Sequence, residues 1–302
     1  MTVHDEPIPD GVLPTPPAGD APRPSGSSSQ IAPRVPPSPQ VAWQPLVPAA
    51  NIDDVVCNLD QIIDWAIREQ STIGYFPVMY KRSTVTIRDA LAKGRFKDRP
   101  LMEDFAVRFA QRYFDALNAY FNPVDYPGEY NGLTLPWEVV FVGHELGYST
   151  MLQHMVAGLN AHIQFDLGVV TAEVVPSTID TFEHDFNLIN ELVVSQVNKM
   201  LKVVYGLSPT LRWTRWLIPA PLVIARVLRK FRKSCWSYAT YLMEHRDKFR
   251  IQTVNQMSWT AAQCAWYLHP PEYWRVTPTA IKAIARFESR DTGANLQALN
   301  RT

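Results

Sequence analysis

The spacing of apolar residues along most of the chain follows the 3.6-residue period of an α-helix. From Asn51 to about Glu69, apolar side chains recur every three or four positions, and Asn51 can cap the resulting helix. Alternating strand patterns joined by hairpin turns are essentially missing. The same period predicts further helices at 75–93, 101–121, 137–144, 150–173, 178–204, 221–245, 260–268 and 278–287. We therefore predict an all-α fold class, with a single multi-helix, bundle-like domain.

The first 50 residues do not share this helical pattern. They contain 13 of the 25 prolines and few large apolar side chains. Because proline cannot donate a backbone hydrogen bond or fit inside a helix, this composition predicts a disordered Pro-rich tail over 1–50. Residues 51–302 then form the all-helical domain, which is long enough to bury one large core. No signal peptide or transmembrane segment is predicted, so a cytoplasmic location is expected.

The overall composition excludes several classes of function. The 29 Lys and Arg residues balance 29 Asp and Glu residues, so no electrostatic footprint for nucleic acid exists. Three scattered cysteines are too few for a disulfide framework or a Cys-rich zinc module. Without a glycine-rich phosphate loop, a nucleotide cofactor is not expected. An aromatic content of 11% favours a hydrophobic small molecule as the substrate, and the oligomeric state is left open.

A second region of interest is 212–233, where tryptophan and aliphatic side chains mix with basic residues. The basic cluster consists of Arg226, Arg229, Lys230, Arg232 and Lys233. Such a segment could make a peripheral membrane contact or bind an anionic ligand. A core helix with a basic outer end is the simpler explanation.

The chemically most informative segment is 149–168, which reads STMLQHMVAGLNAHIQFDLG. At 100° per residue, His154, Gly158, His162 and Asp166 form a gently spiralling row on a face predicted to be buried. His162 and Asp166 are four residues apart, so they can converge on one metal ion. The alternative is an internal hydrogen-bonded pair that fixes helix contacts. Gly158 lacks a side chain and could open a pocket beside the row.

Other predicted helices carry polar residues that could reach the same site. His154 lies about 12 Å along the helix axis from His162, so it could serve a second ion or act as an acid or base. Asp104 and Arg112 lie on the charged side of the helix at 101–121, where a solvated face is the simpler explanation. Asp185 lies at the edge of the apolar face of the helix at 178–204.

The run LQHMVAGLNAHIQFDLG resembles an uncharacterised, mostly bacterial all-helical family, a domain of unknown function. Further matching segments lie at 74–96, 102–117, 185–190 and 231–242, so the resemblance covers about 53–242. It implies no activity, because the family has none assigned. The resemblance implies that the candidate site residues are Asp104, Arg112, Tyr113, His154, Asn160, His162, Asp166, Asp185 and Asn190.

A more distant likeness is to the helical zinc-dependent phospholipase C and P1-type nucleases. Those proteins also use H-x-x-x-D pairs on long helices around a metal cluster. This chain has Gly158 where they have an Asp, and its predicted tail precludes their N-terminal Trp ligand. The likeness therefore implies a smaller metal site.

Three hypotheses of function follow. The first is a metal-dependent hydrolase in which His154, Arg112 and Asn160 are catalytic and a divalent ion such as zinc activates water. Its metal ligands would be His162, Asp166, Asp185 and Asp104. The second is a metal-free acid/base enzyme, a cyclase or isomerase of specialised metabolism, acting on a hydrophobic small molecule. The third is a non-enzymatic interaction protein in which the histidine row is structural.

Overall fold

The computed structural model describes residues 42–123, 132–145, 149–175, 179–214, 220–271 and 276–301. Within these ranges the regular elements are all helices and no strand occurs, which confirms the predicted all-α fold class. Short 3₁₀ turns lie at Thr72–Gly74 and Arg246–Lys248, and a π-helix lies at Ala161–Asp166. The α-helices are α1 (Ile52–Arg68), α2 (Tyr75–Ala92), α3 (Arg99–Phe121), α4 (Leu135–Glu145), α5 (Met151–Asn160), α6 (Leu167–Val174), α7 (Ile179–Leu207), α8 (Pro209–Thr214), α9 (Ala220–Glu244), α10 (Phe249–Leu268), α11 (Val276–Phe287) and α12 (Thr292–Asn300).

Local capping chemistry explains where several helices begin. The Asn51 side chain accepts a hydrogen bond from the backbone N–H of Asp54, as predicted for the start of α1. Thr150 and Gln153 form a capping box at the start of α5. Helix α10 begins at Phe249, well before the predicted residue 260. Its first half buries no side chain fully, and its apolar stripe (Phe249, Val254 and Met257) is interrupted by polar residues, so the helical period there is weak.

The centre of the fold is one continuous helical rod made of α5, the π-helix and α6. Its residues are buried or half-buried on almost every side, so the rod has no solvent-facing stripe. Met155 and Ala161 belong to a hydrophobic cluster shared with α1, α4 and α10. Ile163 and Leu167 belong to a second cluster shared with α3, α7 and α9. The rod therefore joins the two halves of the core.

The π-helix lies at the junction of these two clusters. A π-helix closes hydrogen bonds between residues i and i+5, and its wider turn changes the direction of the side chains beyond it. The predicted row of polar residues assumed 100° per residue throughout. That assumption fails inside Ala161–Asp166, the segment that holds both His162 and Asp166. Such segments occur frequently at functional sites.

Residues 42–50, which their composition assigned to the tail, pack against the helices. Trp43 and Leu46 are buried, and the Trp43 ring stacks on Phe121 with centroids 4.7 Å apart. Asn118 holds this segment, because its side chain accepts from the Trp43 indole and the Leu46 backbone N–H and donates to the Leu46 carbonyl. The rest of the predicted tail, 1–41, lies outside the described residues.

The basic residues predicted as one cluster within 212–233 differ in their exposure on helix α9. Arg226, Arg229, Lys230 and Lys233 are exposed, whereas Arg232 is buried. The side chains of 212–224 lie outside the described part, so the predicted membrane contact is left as a prediction. Among the described helices, none is long and apolar enough to cross a bilayer.

Candidate functional site

An apolar cavity of about 150 Å³ lies between α2, α3, α5, α7 and α9. One face of the central rod forms part of its wall, with side chains at positions 152, 155, 156, 159, 162 and 163. Aliphatic and aromatic side chains make up most of the lining. Its ionisable residues are Tyr80, Arg82, His162 and Arg232. The cavity therefore suits an apolar molecule, with a few polar groups to orient it.

His162 lies on the wall of this cavity inside a group of aromatic rings. Only 2% of the residue is exposed. The Phe109 ring stacks on the imidazole with centroids 3.6 Å apart, and the Tyr80 ring meets it edge-on at 4.5 Å. Phe76 contacts it from a third direction, with centroids 5.5 Å apart. These contacts hold the imidazole in one orientation and exclude water from it.

Asp166 is fully buried and accepts hydrogen bonds at both carboxylate oxygens. Its Oδ1 accepts from Arg112 Nε at 3.1 Å, and its Oδ2 accepts from the Trp137 indole at 2.7 Å. The same Oδ2 lies 3.4 Å from His162 Nδ1, a long contact of the pair predicted from the sequence. The structure therefore brings His162, Asp166 and Arg112 together, and Arg112, which the sequence assigned to substrate binding, contacts Asp166 with only a quarter of its side chain exposed.

These contacts define the protonation state of His162. Burial lowers the pKa of the imidazole, the positive charges of Arg112 and Arg232 lower it further, and Asp166 partly opposes them. A lowered pKa favours the neutral ring, and the tautomer that suits the Asp166 carboxylate has its proton on Nδ1, since a carboxylate only accepts. Nε2 then carries a lone pair, and this buried atom has no hydrogen-bond partner among the described residues. A neutral histidine with a free Nε2 is a candidate general base.

We predict that this lowered pKa makes stability depend on pH. Unfolding restores the ordinary imidazole pKa of 6.5, so the unfolded chain binds an extra proton at acidic pH. The contribution of His162 is fully present above about pH 6.5 and is lost on acidification by up to about 1.4 kcal/mol per pH unit. Urea unfolding of wild type and His162→Gln at about pH 7.5 and 5.5 measures it. An equal stability gap at both pH values contradicts the prediction.

His154 is separated from this site. It is buried beside Tyr75, with ring centroids 6.2 Å apart, and does not line the apolar cavity. Gly158 does not open a pocket as expected, because the Phe76 ring fills its space. A Cβ at Gly158 would lie 2.7 Å from Phe76 Cγ. The histidines of the row predicted from the helical period thus line different pockets.

Asn160, predicted to be catalytic, connects the rod to α10. Its side-chain amide donates to the Thr260 carbonyl at 3.3 Å and to Cys264 Sγ at 3.4 Å. It is fully buried and does not line the cavity. These contacts describe a helix-packing position.

Asp185 fixes the loop before α3 and does not meet His162. Its carboxylate accepts from the backbone N–H groups of Lys97 and Asp98 at 3.0 Å each, and from His184 Nδ1. Burial opposes its ionisation, but the bonds from Asp98, His184 and Lys97 hold the pKa of Asp185 below its usual value. A buried carboxylate with this many donors stabilises the loop conformation.

Asp104 lies on the exposed face of α3, where Arg108 Nε reaches both of its carboxylate oxygens at 2.9 Å. Its side chain is 47% exposed. Within the described ranges, no group of three or more His, Cys, Asp and Glu side chains could hold a metal ion. The predicted ligand set of His162, Asp166, Asp185 and Asp104 is therefore not assembled, because helix packing places the last two elsewhere.

Four site residues have no counterpart among the predicted catalytic and metal residues: Tyr80, Phe109, Trp137 and Arg232. The three aromatic residues follow helical apolar patterns, so nothing in the sequence distinguishes them from ordinary core positions. For Arg232 the sequence does hold a signal of burial. It lies between Leu228 and Cys235 on the i, i+4, i+7 stripe of α9, a position that normally takes an apolar side chain.

Taken together, these features define the chain as an all-helical protein with a buried His–Asp pair, whose histidine lies on the wall of an apolar cavity. The chain belongs to the family of unknown function DUF5995, whose model matches residues 52–271. This match confirms the resemblance to an uncharacterised helical family. No curated protein and no solved structure matched the chain, so the likeness to zinc-dependent phospholipase C stays a prediction.

Proposed function

We propose that this protein is a metal-free acid/base enzyme, a cyclase or isomerase that acts on a small hydrophobic molecule of specialised metabolism. The observation that carries the proposal is the Nε2 atom of His162, which lies in the wall of the apolar cavity and has no hydrogen-bond partner in the described part of the chain. A buried polar atom without a partner costs free energy, and a reacting group of a substrate would supply that partner.

The other residues of the site support a base at this position. Asp166 fixes the tautomer and stabilises the imidazolium that forms when Nε2 takes a proton, as the acidic partner of a catalytic histidine does. Arg112 and Trp137 hold the Asp166 carboxylate in place. The surrounding rings exclude water, which strengthens each electrostatic interaction during the reaction.

The elementary step that suits these groups is proton abstraction next to a carbonyl group. His162 Nε2 takes the proton, the electron pair of the broken C–H bond forms a C=C bond, and the π electron pair of the carbonyl moves onto its oxygen. Tyr80 also lines the cavity, and burial raises the pKa of its hydroxyl, which therefore stays protonated. This hydroxyl can donate a hydrogen bond to the developing oxyanion. In a β,γ-unsaturated carbonyl compound the enolate is conjugated with the C=C bond, so the imidazolium can return the proton to the γ-carbon. The double bond then moves next to the carbonyl group, which completes an isomerisation.

The test is a deuterium-exchange assay on small carbonyl compounds. Phenylacetone and phenylpyruvate are incubated with the protein in deuterium oxide, and deuterium incorporation next to the carbonyl is measured by mass spectrometry. We expect the wild-type protein to accelerate exchange, and His162→Gln to reduce the acceleration by about 10²–10⁴-fold. His269→Gln, at an exposed histidine, is the matched control and should leave the rate unchanged.

Chelation separates the three hypotheses. Exchange that survives excess EDTA supports the metal-free enzyme. Exchange that is lost on chelation and restored by zinc supports the metal-dependent alternative. An acceleration that His162→Gln leaves intact overturns the proposal. If neither compound exchanges faster with protein than without it, the assignment to this reaction class also fails, and a structural role for the histidine is favoured.

A further inference from the structure

Arg232 on α9 is a charged residue in the core. Only 3% of it is exposed, and it lines the same apolar cavity as His162. The guanidinium lies over the Phe186 ring at 4.4 Å, and one terminal nitrogen lies 3.4 Å from the Phe186 carbonyl oxygen. Burial lowers the pKa of Arg232 to about 10, so the group still carries its charge at neutral pH. The cavity wall therefore contains a fixed positive charge.

No acidic residue in the described ranges neutralises this charge. Arg112 forms an ion pair with Asp166, but Arg232 forms none, and its Nε has no hydrogen-bond partner there. Buried arginines are ordinarily paired, because an isolated charge in an apolar environment is strongly destabilising. An arginine Nε together with a terminal nitrogen presents two parallel donors, the geometry that matches a carboxylate.

We propose that the cavity binds a small hydrophobic carboxylic acid whose carboxylate pairs with Arg232. This deepens the proposed function, on which it rests, by naming the class of substrate for the same cavity. The apolar lining receives the body of the molecule and His162 lies within reach of its reacting carbon. The ligand supplies the negative charge that the core around Arg232 lacks.

The volume of the cavity limits the size of the apolar group that the acid can carry. A cavity of about 150 Å³ is the size that accepts one benzene ring in an engineered protein core. Phenylacetate, 3-phenylpropionate and cyclohexylacetate each combine a ring of this size with one carboxylate. Their carboxamides have nearly the same shape but no charge, so they are matched controls for the ionic contact.

The test measures the binding of these acids and their carboxamides to the full chain by isothermal titration calorimetry. We expect at least one acid to bind wild-type protein ten or more times tighter than its carboxamide. Arg232→Met should abolish this preference by weakening acid binding, while carboxamide binding stays within about threefold. Arg229→Met, at an exposed arginine on the same helix, should retain the full preference.

Two further variants keep the outcome interpretable. Arg82→Met tests the other arginine of the cavity wall: if this variant, and not Arg232→Met, abolishes the preference for the acid, the carboxylate pairs with Arg82 and the proposal is overturned. Arg232→Lys keeps the charge but loses the paired donors, so it should retain only part of the preference. If Arg232→Met does not fold, the comparison of acid with carboxamide in wild type and Arg232→Lys decides the question. Equal binding of acid and carboxamide, or no binding of any acid, overturns the proposal.

The same measurement on His162→Gln separates this proposal from the proposed function. A variant that keeps the preference for the acid but loses deuterium exchange supports both. Preference for the acid without exchange in the wild-type protein supports carboxylate binding and rejects the catalytic role. Exchange without any preference for the acid supports the catalytic role and rejects the carboxylate.

Discussion

Replacing Asp166 with alanine is expected to lower the free energy of unfolding by about 3 kcal/mol, because three donors lose their shared acceptor. The Trp137 indole and His162 Nδ1 are both buried and have no other acceptor in the described contacts. Arg112 keeps a quarter of its side chain exposed, so water compensates part of its loss. The estimate therefore lies at the lower end of the cost of breaking a buried ion pair.

Urea unfolding of Asp166→Ala checks this value, with Asp104→Ala as the matched control. Like Asp166, Asp104 pairs with an arginine. Its partner is Arg108, and the pair lies on an exposed helix face. Its loss should change the free energy of unfolding by less than about 0.5 kcal/mol. A loss below about 1 kcal/mol for Asp166→Ala would show that the carboxylate does not stabilise the site as described.

The second large effect is expected at Asn118, which attaches the segment 42–50 to the helices. Asn118→Ala removes three hydrogen bonds and leaves the Trp43 indole and the Leu46 backbone groups without partners. At about 1 kcal/mol for each lost bond, the free energy of unfolding should fall by about 3 kcal/mol. Thermal unfolding followed by tryptophan fluorescence measures the change, since the Trp43 ring packs against Trp65 and Phe121.

Asn187→Ala is the control for this experiment, because Asn187 is an exposed asparagine on α7. Its effect should stay within about 0.5 kcal/mol. If Asn118→Ala is no more destabilising than this control, the segment contributes nothing to the stability of the core.

The fold class could be predicted because helical periodicity is a local property. Apolar residues at intervals of three and four define the helices with buried stripes, and a residue such as Asn51 marks a boundary through its own side chain. Local patterns fail where burial is partial, as in the first half of α10. They also fail where a short segment packs by a few residues only, as Trp43 and Leu46 do.

The candidate site was only half predictable. His162 and Asp166 lie four residues apart in one helical segment, and this spacing was enough to predict their pairing although the segment is a π-helix. Whether Asp104, Asp185 or His154 joins them depends on the packing of separate helices, which no spacing along the chain defines. The π-helix also changes the side-chain directions within the site. No sequence pattern in its six residues predicts its wider turn.

The sequence by itself determined the helical architecture, most helix positions and the His162–Asp166 pair, because these depend on contacts within one turn or two. The tertiary structure decided the environment of the pair. In the folded protein Phe109 and Tyr80 pack around His162, and Arg112 donates a hydrogen bond to Asp166. Arg232 lies in the wall of the same cavity as His162. These contacts join residues far apart in the chain, so they exist only after the helices have packed.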